Sequence, residues 1–174
     1  TELRLKIKAN SESLNNLLTK FKSFKNPDAS IWTARGAIEK YLGDQVSAKN
    51  SLNQALKLEP KNLYALAQIV EISLAEKNYE QALTNAQNLL RYSPDSVNSK
   101  ILLAKVYAQS GNSSEAFTIL DGLDQQNKDV LSLRNELIAN STKDIPALEK
   151  QLLSDPKSHL ILGKLCNLTR TDPN

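Results

Sequence analysis

The chain has 174 residues, of which 40% are hydrophobic and 24% are charged, a balance typical of a folded protein and not of a disordered segment. Its formal net charge of +3 is too small to indicate nucleic-acid binding by itself. The single cysteine excludes an intrachain disulfide. One cysteine and one histidine are too few ligands for a structural zinc site. Neither a metal nor a cofactor is expected.

The N-terminal segment is the most basic part of the chain. Residues 1–27 contain six lysine or arginine side chains against two glutamates. Such a segment is either a solvated helix face or a patch for phosphate or for an acidic partner. No stretch reaches the ~18 consecutive apolar residues that a membrane-spanning helix needs. The absence of methionine, together with the start at Thr1, suggests a processed chain or a piece of a longer protein.

The same segment predicts a helix preceded by a turn. Apolar residues recur at helical spacing in its second half, as Leu14, Leu17, Leu18 and Phe21. Ala9-Asn10 is predicted to form the turn before this helix. Apolar and polar residues alternate over residues 3–7, which fits either a truncated helix or a short strand.

The middle of the chain repeats itself every 34 residues. Three kinds of residue recur in this register: alanines (Ala48, Ala82, Ala116), residue types that cap helices (Asp44, Asn78, Asn112), and prolines (Pro60, Pro94). Within each unit the apolar residues follow helical periodicity. Asp28, Asn62 and Ser96 are suited to cap the first helix of each unit, and Gln81 and Glu115 have the spacing of a capping box. Each unit is therefore predicted to be a helix, a short turn, a second helix and a proline.

This unit resembles the tetratricopeptide repeat. The first unit carries most of that signature, in the residues Trp32, Gly36, Gly43-Asp44, Ala48, Ala55 and Pro60. The departures are Arg35, where the family usually has leucine, and Lys100, which replaces a large apolar residue. The resemblance implies an all-α, right-handed α-solenoid of about four to five helical hairpins. One domain over 1–174 is predicted, with a partial unit at 1–28, full repeats at 29–62, 63–96 and 97–130, and degenerate units at 131–174.

The C-terminal segment departs from the 34-residue register. A short helix is predicted over Leu131–Ala139, and Asp144-Ile145-Pro146 is predicted to begin another. The first-helix pattern then resumes at Leu162, with Cys166 expected to be buried at the position that Gly36 occupies in the first repeat. His159 lies in this segment without a recognisable base, nucleophile or metal-ligand set, so it is predicted to have no catalytic role.

The resemblance also implies where a partner would bind. In the tetratricopeptide family the first helices line a concave groove that holds an extended peptide or a partner helix. The residues of this stripe predicted to contact a partner are Thr33, Lys40, Tyr64, Gln68, Glu71, Asn98, Ile101 and Lys105. The alternative is that these residues only pack between neighbouring helices. The clamp that one subfamily uses for the acidic tails of chaperones is not matched by the residues at its positions, which are Thr33, Ala37, Gln68, Asn98 and Leu102.

The predicted function is a non-enzymatic scaffold for protein–protein interaction, as part of a larger protein or assembly. The alternative is a structural spacer or a self-association module of a multidomain protein, in which the terminal units stack on another copy of the chain or on a neighbouring domain. Neither nucleic acid nor a membrane is an expected partner.

Overall fold

A computed structural model describes residues 2–142, together with Gly163 and Cys166. Over this part of the chain there are eight helices and no strand: α1 (Glu2–Lys22), α2 (Ala29–Tyr41), α3 (Gln45–Leu58), α4 (Leu63–Ala75), α5 (Tyr79–Tyr92), α6 (Val97–Gln109), α7 (Ser113–Asp121) and α8 (Lys128–Thr142). The chain divides into two compact units, Thr1–Leu102 and Leu103–Asn174. The prediction of one domain over 1–174 stays a prediction.

The helices begin in the register of the sequence repeat. The first helices α2, α4 and α6 begin at residues 29, 63 and 97, and the second helices α3, α5 and α7 begin at residues 45, 79 and 113. Both series are spaced by 34 residues. The predicted all-α class, built from solenoid-type helical hairpins, is confirmed.

Side chains before the helices satisfy their free N–H groups. Asp28 accepts from the Ile31 N–H at 2.9 Å, Asn62 accepts from the Ala65 N–H at 3.0 Å, and the Ser96 hydroxyl accepts from the Ser99 N–H at 3.2 Å. The Ile31 N–H, followed by the Ser30 hydroxyl, lowers the pKa of the Asp28 carboxyl. The three predicted caps of the first helices are therefore present.

The predicted caps of the second helices are only partly present. Asp44 and Asn78 accept from the N–H three residues later, at 3.0 Å and 3.2 Å. Asn112 precedes α7 but makes no such bond, and its amide nitrogen donates to the Ser110 hydroxyl at 3.4 Å. Gln81 does not complete the predicted capping box, since its side-chain oxygen accepts from the Ser73 hydroxyl at 3.2 Å.

The turn inside each hairpin needs one residue with a left-handed backbone. Gly43 and Gly111 take this position in the first and third repeats, with φ of 89° and 87°. The second repeat has Lys77 there, with φ of 57°. Left-handed backbone is unfavourable for residues with a Cβ atom, so the second repeat forms its turn at a cost that the other two avoid.

Lys77→Gly is therefore expected to stabilise the protein. Glycine avoids the cost of the left-handed backbone, which is about 1–2 kcal/mol. Its greater freedom in the unfolded chain offsets part of this gain, so the free energy of unfolding is expected to rise by about 0.5–1 kcal/mol. Urea unfolding measures the change. Lys57→Gly is the matched control, because Lys57 is an exposed lysine in the last turn of α3 and its replacement should destabilise. A loss of stability in Lys77→Gly would contradict the prediction.

The core of the first unit lies between α2, α3 and α4. It is a cluster of fully buried small and branched residues from α3 and α4, with Trp32 and Leu56 packed against it: Ala48, Leu52, Ala55, Ala65, Ile69 and Ile72. A Cβ atom at Gly36 would lie 2.6 Å from Leu52 Cγ. The missing side chain of Gly36 thus lets α2 approach α3 closely, as the repeat signature predicts.

Two predictions for the N-terminal segment are wrong. α1 runs without interruption from Glu2 to Lys22, so Ala9-Asn10 is not a turn and residues 3–7 are not a strand. Alanine is the best helix former, asparagine costs only a few tenths of a kcal/mol, and no glycine or proline interrupts the segment, so continuing the helix is favoured over a turn.

In the second unit, α7 packs against α8. Buried residues of the two helices include Ala116, Leu120, Val130, Leu133 and Leu137. Arg134 forms an ion pair with Asp121, and its guanidinium lies 5.7 Å from the centre of the Phe117 ring. The predicted helix over Leu131–Ala139 is confirmed, and it extends from Lys128 to Thr142.

The later C-terminal predictions fall mostly outside the described residues. This applies to the helix beginning at Asp144-Ile145-Pro146 and to His159. Cys166 is helical but exposed, so the prediction that it is buried is wrong. Gly36, by contrast, is buried because it packs on the second helix of its own repeat. Of the described helices, none is both long and apolar enough to cross a membrane.

Candidate functional site

Three of the predicted partner-binding residues meet between α2 and α4. The Lys40 ammonium on α2 donates to the Gln68 side-chain oxygen at 2.6 Å and forms an ion pair with the Glu71 carboxylate. These contacts join residues 28 and 31 positions apart, so they tie one repeat to the next. The Lys40 side chain is 30% exposed and that of Glu71 is 45% exposed. The charge bridge thus lies at the surface, where a partner can reach it.

A second ion pair ties the same two repeats together. Lys49 on α3 pairs with Glu76, which directly follows α4. α4 is therefore held by a lysine from each helix of the preceding hairpin. Surface ion pairs are worth little singly, about 0–1 kcal/mol, so these two pairs add little to the stability of the hairpin contact.

Thr33 is used within the fold. Its hydroxyl donates to the Ala29 carbonyl at 2.7 Å and accepts from the Asn62 amide at 3.0 Å. Asn62 is also the N-cap of α4, so this bond fixes the start of α4 against α2. Thr33 was predicted to contact a partner, but the structure shows it half-buried with its hydroxyl already bonded on both sides. A role for Thr33 in binding stays a prediction.

Tyrosines are the exposed aromatic residues of α2 and α4. Tyr64 lies in the first turn of α4 and is 49% exposed. Tyr41 is the last residue of α2 and is 65% exposed. Sequence reasoning missed Tyr41, although it lies four residues after Ala37 on the same stripe of α2. Tyr41 directly follows Lys40 in the chain, and Tyr64 lies one helical turn before Gln68 on the same side of α4.

The remaining predicted residues lie on α6. Asn98 is exposed and Ile101 is half-buried, and both belong to the first unit. Lys105 is exposed and belongs to the second unit. The predicted convergence of Lys105 with Tyr64 stays a prediction. We use the name first-helix face for the surface of α2 and α4 formed by Tyr41, Tyr64, Lys40, Gln68 and Glu71.

Comparisons with known proteins agree with the hairpin architecture. The family model of the tetratricopeptide repeat matches residues 73–139. The structure is similar to a crystal structure of a tetratricopeptide repeat protein from Parabacteroides merdae, with a TM-score of 0.60 and 18% sequence identity. That similarity covers 92% of this chain and 65% of the other, so the chain spans less than two thirds of that protein. No curated protein matches the sequence.

Proteins with these repeats typically are not enzymes, and the repeats generally mediate protein–protein interaction. The predicted inertness of His159 in catalysis stays a prediction, because this residue lies outside the described part of the chain.

Proposed function

We propose that this chain, which belongs to the tetratricopeptide-repeat family, is a non-enzymatic scaffold that binds a segment of a partner protein on its first-helix face. The observation that carries the proposal is the exposure of Tyr64 on α4, one helical turn before Gln68, which together with Glu71 contacts Lys40. A tyrosine that served packing alone would be covered by its neighbours, whereas about half of this one is open to solvent.

The chemistry of the face suits a peptide or a helix with mixed character. Tyr41 and Tyr64 offer rigid aromatic surface, and interfaces draw most of their energy from a few such anchors. The Glu71 side chain is 45% exposed and Gln68 is half-buried, and both carry hydrogen-bond acceptors next to the Lys40 ammonium. Charged groups around an anchor set orientation and association rate more than affinity.

Tyr64→Ala is expected to weaken binding of the partner by more than about 1 kcal/mol, because it removes an interfacial anchor. The partner is first captured with the intact protein and identified by mass spectrometry, and its dissociation constant is then measured for each variant. Gln87→Ala is the control, since Gln87 is an exposed polar residue of the second helix α5. Lys49 is less suitable as a control because it forms an ion pair with Glu76 of the next repeat.

Comparing the two variants shows whether the partner binds on the first-helix face or on the second helices. Far-UV circular dichroism should be the same for both, because neither side chain belongs to the core cluster. If Gln87→Ala abolishes binding while Tyr64→Ala leaves it intact, the partner sits on the second helices and the proposal fails.

Self-association through a terminal helix is the second candidate. It is favoured by two apolar side chains at the C-terminal half of α1 and just after it, Leu17 and Phe24, which are 40% and 45% exposed. Exposed apolar residues on a terminal unit are suited to stacking on another copy. Sedimentation at several protein concentrations distinguishes this role, since a scaffold with no self-association keeps one mass throughout.

A further inference from the structure

Two turns of the first unit have the same structure and lie 34 residues apart. In the turn between α3 and α4, the Asn62 N–H donates to the Glu59 carbonyl at 3.1 Å. In the turn between α5 and α6, the Ser96 N–H donates to the Ser93 carbonyl at 3.1 Å. The second residue of each turn is a proline, whose fixed φ favours the turn at that position. Each turn thus brings the end of a second helix next to the start of the following first helix.

Apolar side chains flank both turns. Leu58 ends α3 and is 59% exposed, and Leu63 begins α4 and is 42% exposed. Tyr92 ends α5 and is half-buried, and Val97 begins α6 and is 40% exposed. Single exposed apolar residues are common on protein surfaces, whereas grouped ones mark sites of interaction.

The two turns lie side by side. Lys61 belongs to the first turn, and its ammonium lies 5.8 Å from the centre of the Tyr92 ring, next to the second turn. The Arg91 guanidinium lies 4.9 Å from the centre of the same ring and donates to the Tyr92 hydroxyl at 2.9 Å. The Tyr92 ring therefore joins the two turns and has two cationic groups beside it. We use the name turn edge for the surface formed by Leu58, Lys61, Leu63, Arg91, Tyr92 and Val97.

The positive charges of the turn edge are not neutralised within the fold. Lys61 and Arg91 are exposed, and neither forms an ion pair with another of the described residues. Glu59, two residues before Lys61, accepts from the Asn62 amide at 3.2 Å instead. The turn edge therefore offers two uncompensated cations beside apolar side chains, a combination complementary to acidic and aliphatic groups.

We propose that the turn edge binds a segment of a partner protein in which acidic side chains flank aliphatic ones. The aliphatic groups of this segment cover Leu58, Leu63 and Val97 and so remove apolar surface from water. Its carboxylates pair with Lys61 and Arg91, which sets the orientation of the segment along the two turns.

The charges of the two turns favour a protein segment over a membrane or a second copy. Each turn also carries a carboxylate, Glu59 or Asp95, which an anionic membrane surface would repel. A second copy docked symmetrically through the same edge would bring Lys61 and Arg91 close to the same cations of the other copy. A segment of another protein can place acidic side chains opposite the cations and polar ones opposite the carboxylates.

The turn edge is a second surface, separate from the first-helix face. Leu63 and Tyr64 are neighbours in the sequence, but consecutive residues of a helix point about 100° apart around its axis. The inference therefore goes beyond the proposed function, and substitutions can test the two surfaces independently.

The test measures binding of a short labelled peptide of leucine and glutamate to the intact chain by fluorescence anisotropy. Two peptides of the same length separate its components: leucine with glutamine keeps the apolar groups, and alanine with glutamate keeps the charge. The leucine–glutamate peptide should bind at least about tenfold more tightly than either of them, because only this peptide satisfies both parts of the turn edge. Its affinity should fall as salt increases.

Leu58→Ala tests the apolar part of the turn edge. It should weaken binding of the leucine–glutamate peptide about fivefold, because it truncates an anchor. Val46→Ala is the matched control and should leave binding unchanged, since Val46 is 72% exposed at the opposite end of α3.

Lys61→Glu tests the charged part. It should weaken binding about tenfold at low salt and by less at high salt. Lys128→Glu is its control and should leave binding unchanged, since it makes the same change in net charge at an exposed lysine that begins α8. Far-UV circular dichroism should be the same for all these variants, because each replaces an exposed side chain.

Four outcomes would overturn the proposal. The first is no measurable binding of the leucine–glutamate peptide, or equal effects of Leu58→Ala and Val46→Ala on it. The second is equal binding of either control peptide. The third is a loss in Tyr64→Ala as large as that in Leu58→Ala, since the peptide would then lie on the first-helix face. The fourth is that Leu58→Ala abolishes self-association in sedimentation or binding to phosphatidylserine vesicles, since a second copy or a membrane would then cover the turn edge.

Discussion

Leu52→Ala is expected to lower the free energy of unfolding by about 3 kcal/mol. Leu52 is fully buried and belongs to the core cluster of the first unit, where Ala48 and Ala55 precede and follow it on α3. The substitution removes apolar surface from the core and leaves a cavity that the stiff helices on either side can fill only in part. Urea unfolding followed by circular dichroism measures the change.

Leu58→Ala is the matched control for that experiment. Leu58 is also a leucine of α3, but its side chain is 59% exposed. Truncation at an exposed position usually changes stability by no more than about 0.5 kcal/mol. If both variants lose the same stability, α3 does not pack on α4 through Leu52, and the arrangement of the first unit described above is wrong.

The stability of the protein is expected to fall as residue 36 changes from glycine to alanine to valine. Gly36→Val should lower the free energy of unfolding by about 3 kcal/mol. A Cβ atom at this position would lie 2.6 Å from Leu52 Cγ and 3.2 Å from the Ala48 carbonyl oxygen. Leu52 is fully buried and cannot move aside without displacing the rest of the core. Alanine would gain up to about 1 kcal/mol in helix propensity over glycine, but the overlap costs about 1–3 kcal/mol, so its net effect is also a loss.

Gly122→Ala tests whether the effect is specific to the helix contact. A Cβ atom at Gly122 would meet only the Ile119 carbonyl oxygen, at the ordinary distance of 3.6 Å. Its φ of −81° is accessible to alanine. This variant should be neutral or more stable by up to about 1 kcal/mol, because alanine reduces the freedom of the unfolded chain. Opposite signs at the two glycines would support the close approach of α2 to α3, and equal losses would contradict it.

The positions of the repeated helices could be predicted because local chemistry recurs there. Asp28, Asn62 and Ser96 cap their helices as the sequence predicts, since an N-cap depends only on the residue and on the N–H groups next to it in the chain. The prediction fails at Asn112, which has the right residue type and position but makes no side-chain cap bond to α7.

The candidate site could be predicted only in part. The sequence places Lys40, Gln68 and Glu71 on the right helices, but their mutual contact depends on how α2 lies against α4. Thr33 has the same helical stripe as Lys40 and nevertheless bonds to Asn62, because the start of α4 lies beside it. Tyr41 was missed because its exposure at the end of α2 depends on which neighbours approach it.

What the sequence determined by itself is the 34-residue register, the two helices of each repeat and the small residues at their contact, because periodicity, capping and turn chemistry act over a few neighbouring residues. Only the tertiary structure decided which polar groups form hydrogen bonds within the fold and which have no partner there. Glu39 accepts its hydrogen bond from Ser51 on another helix, and the buried Nε of Arg35 has no hydrogen-bond partner, although Arg35 and Glu39 are one turn apart. A side chain several ångströms long can reach partners on different helices. Which of them it contacts depends on the distances between the helices, and these distances cannot be read from the sequence.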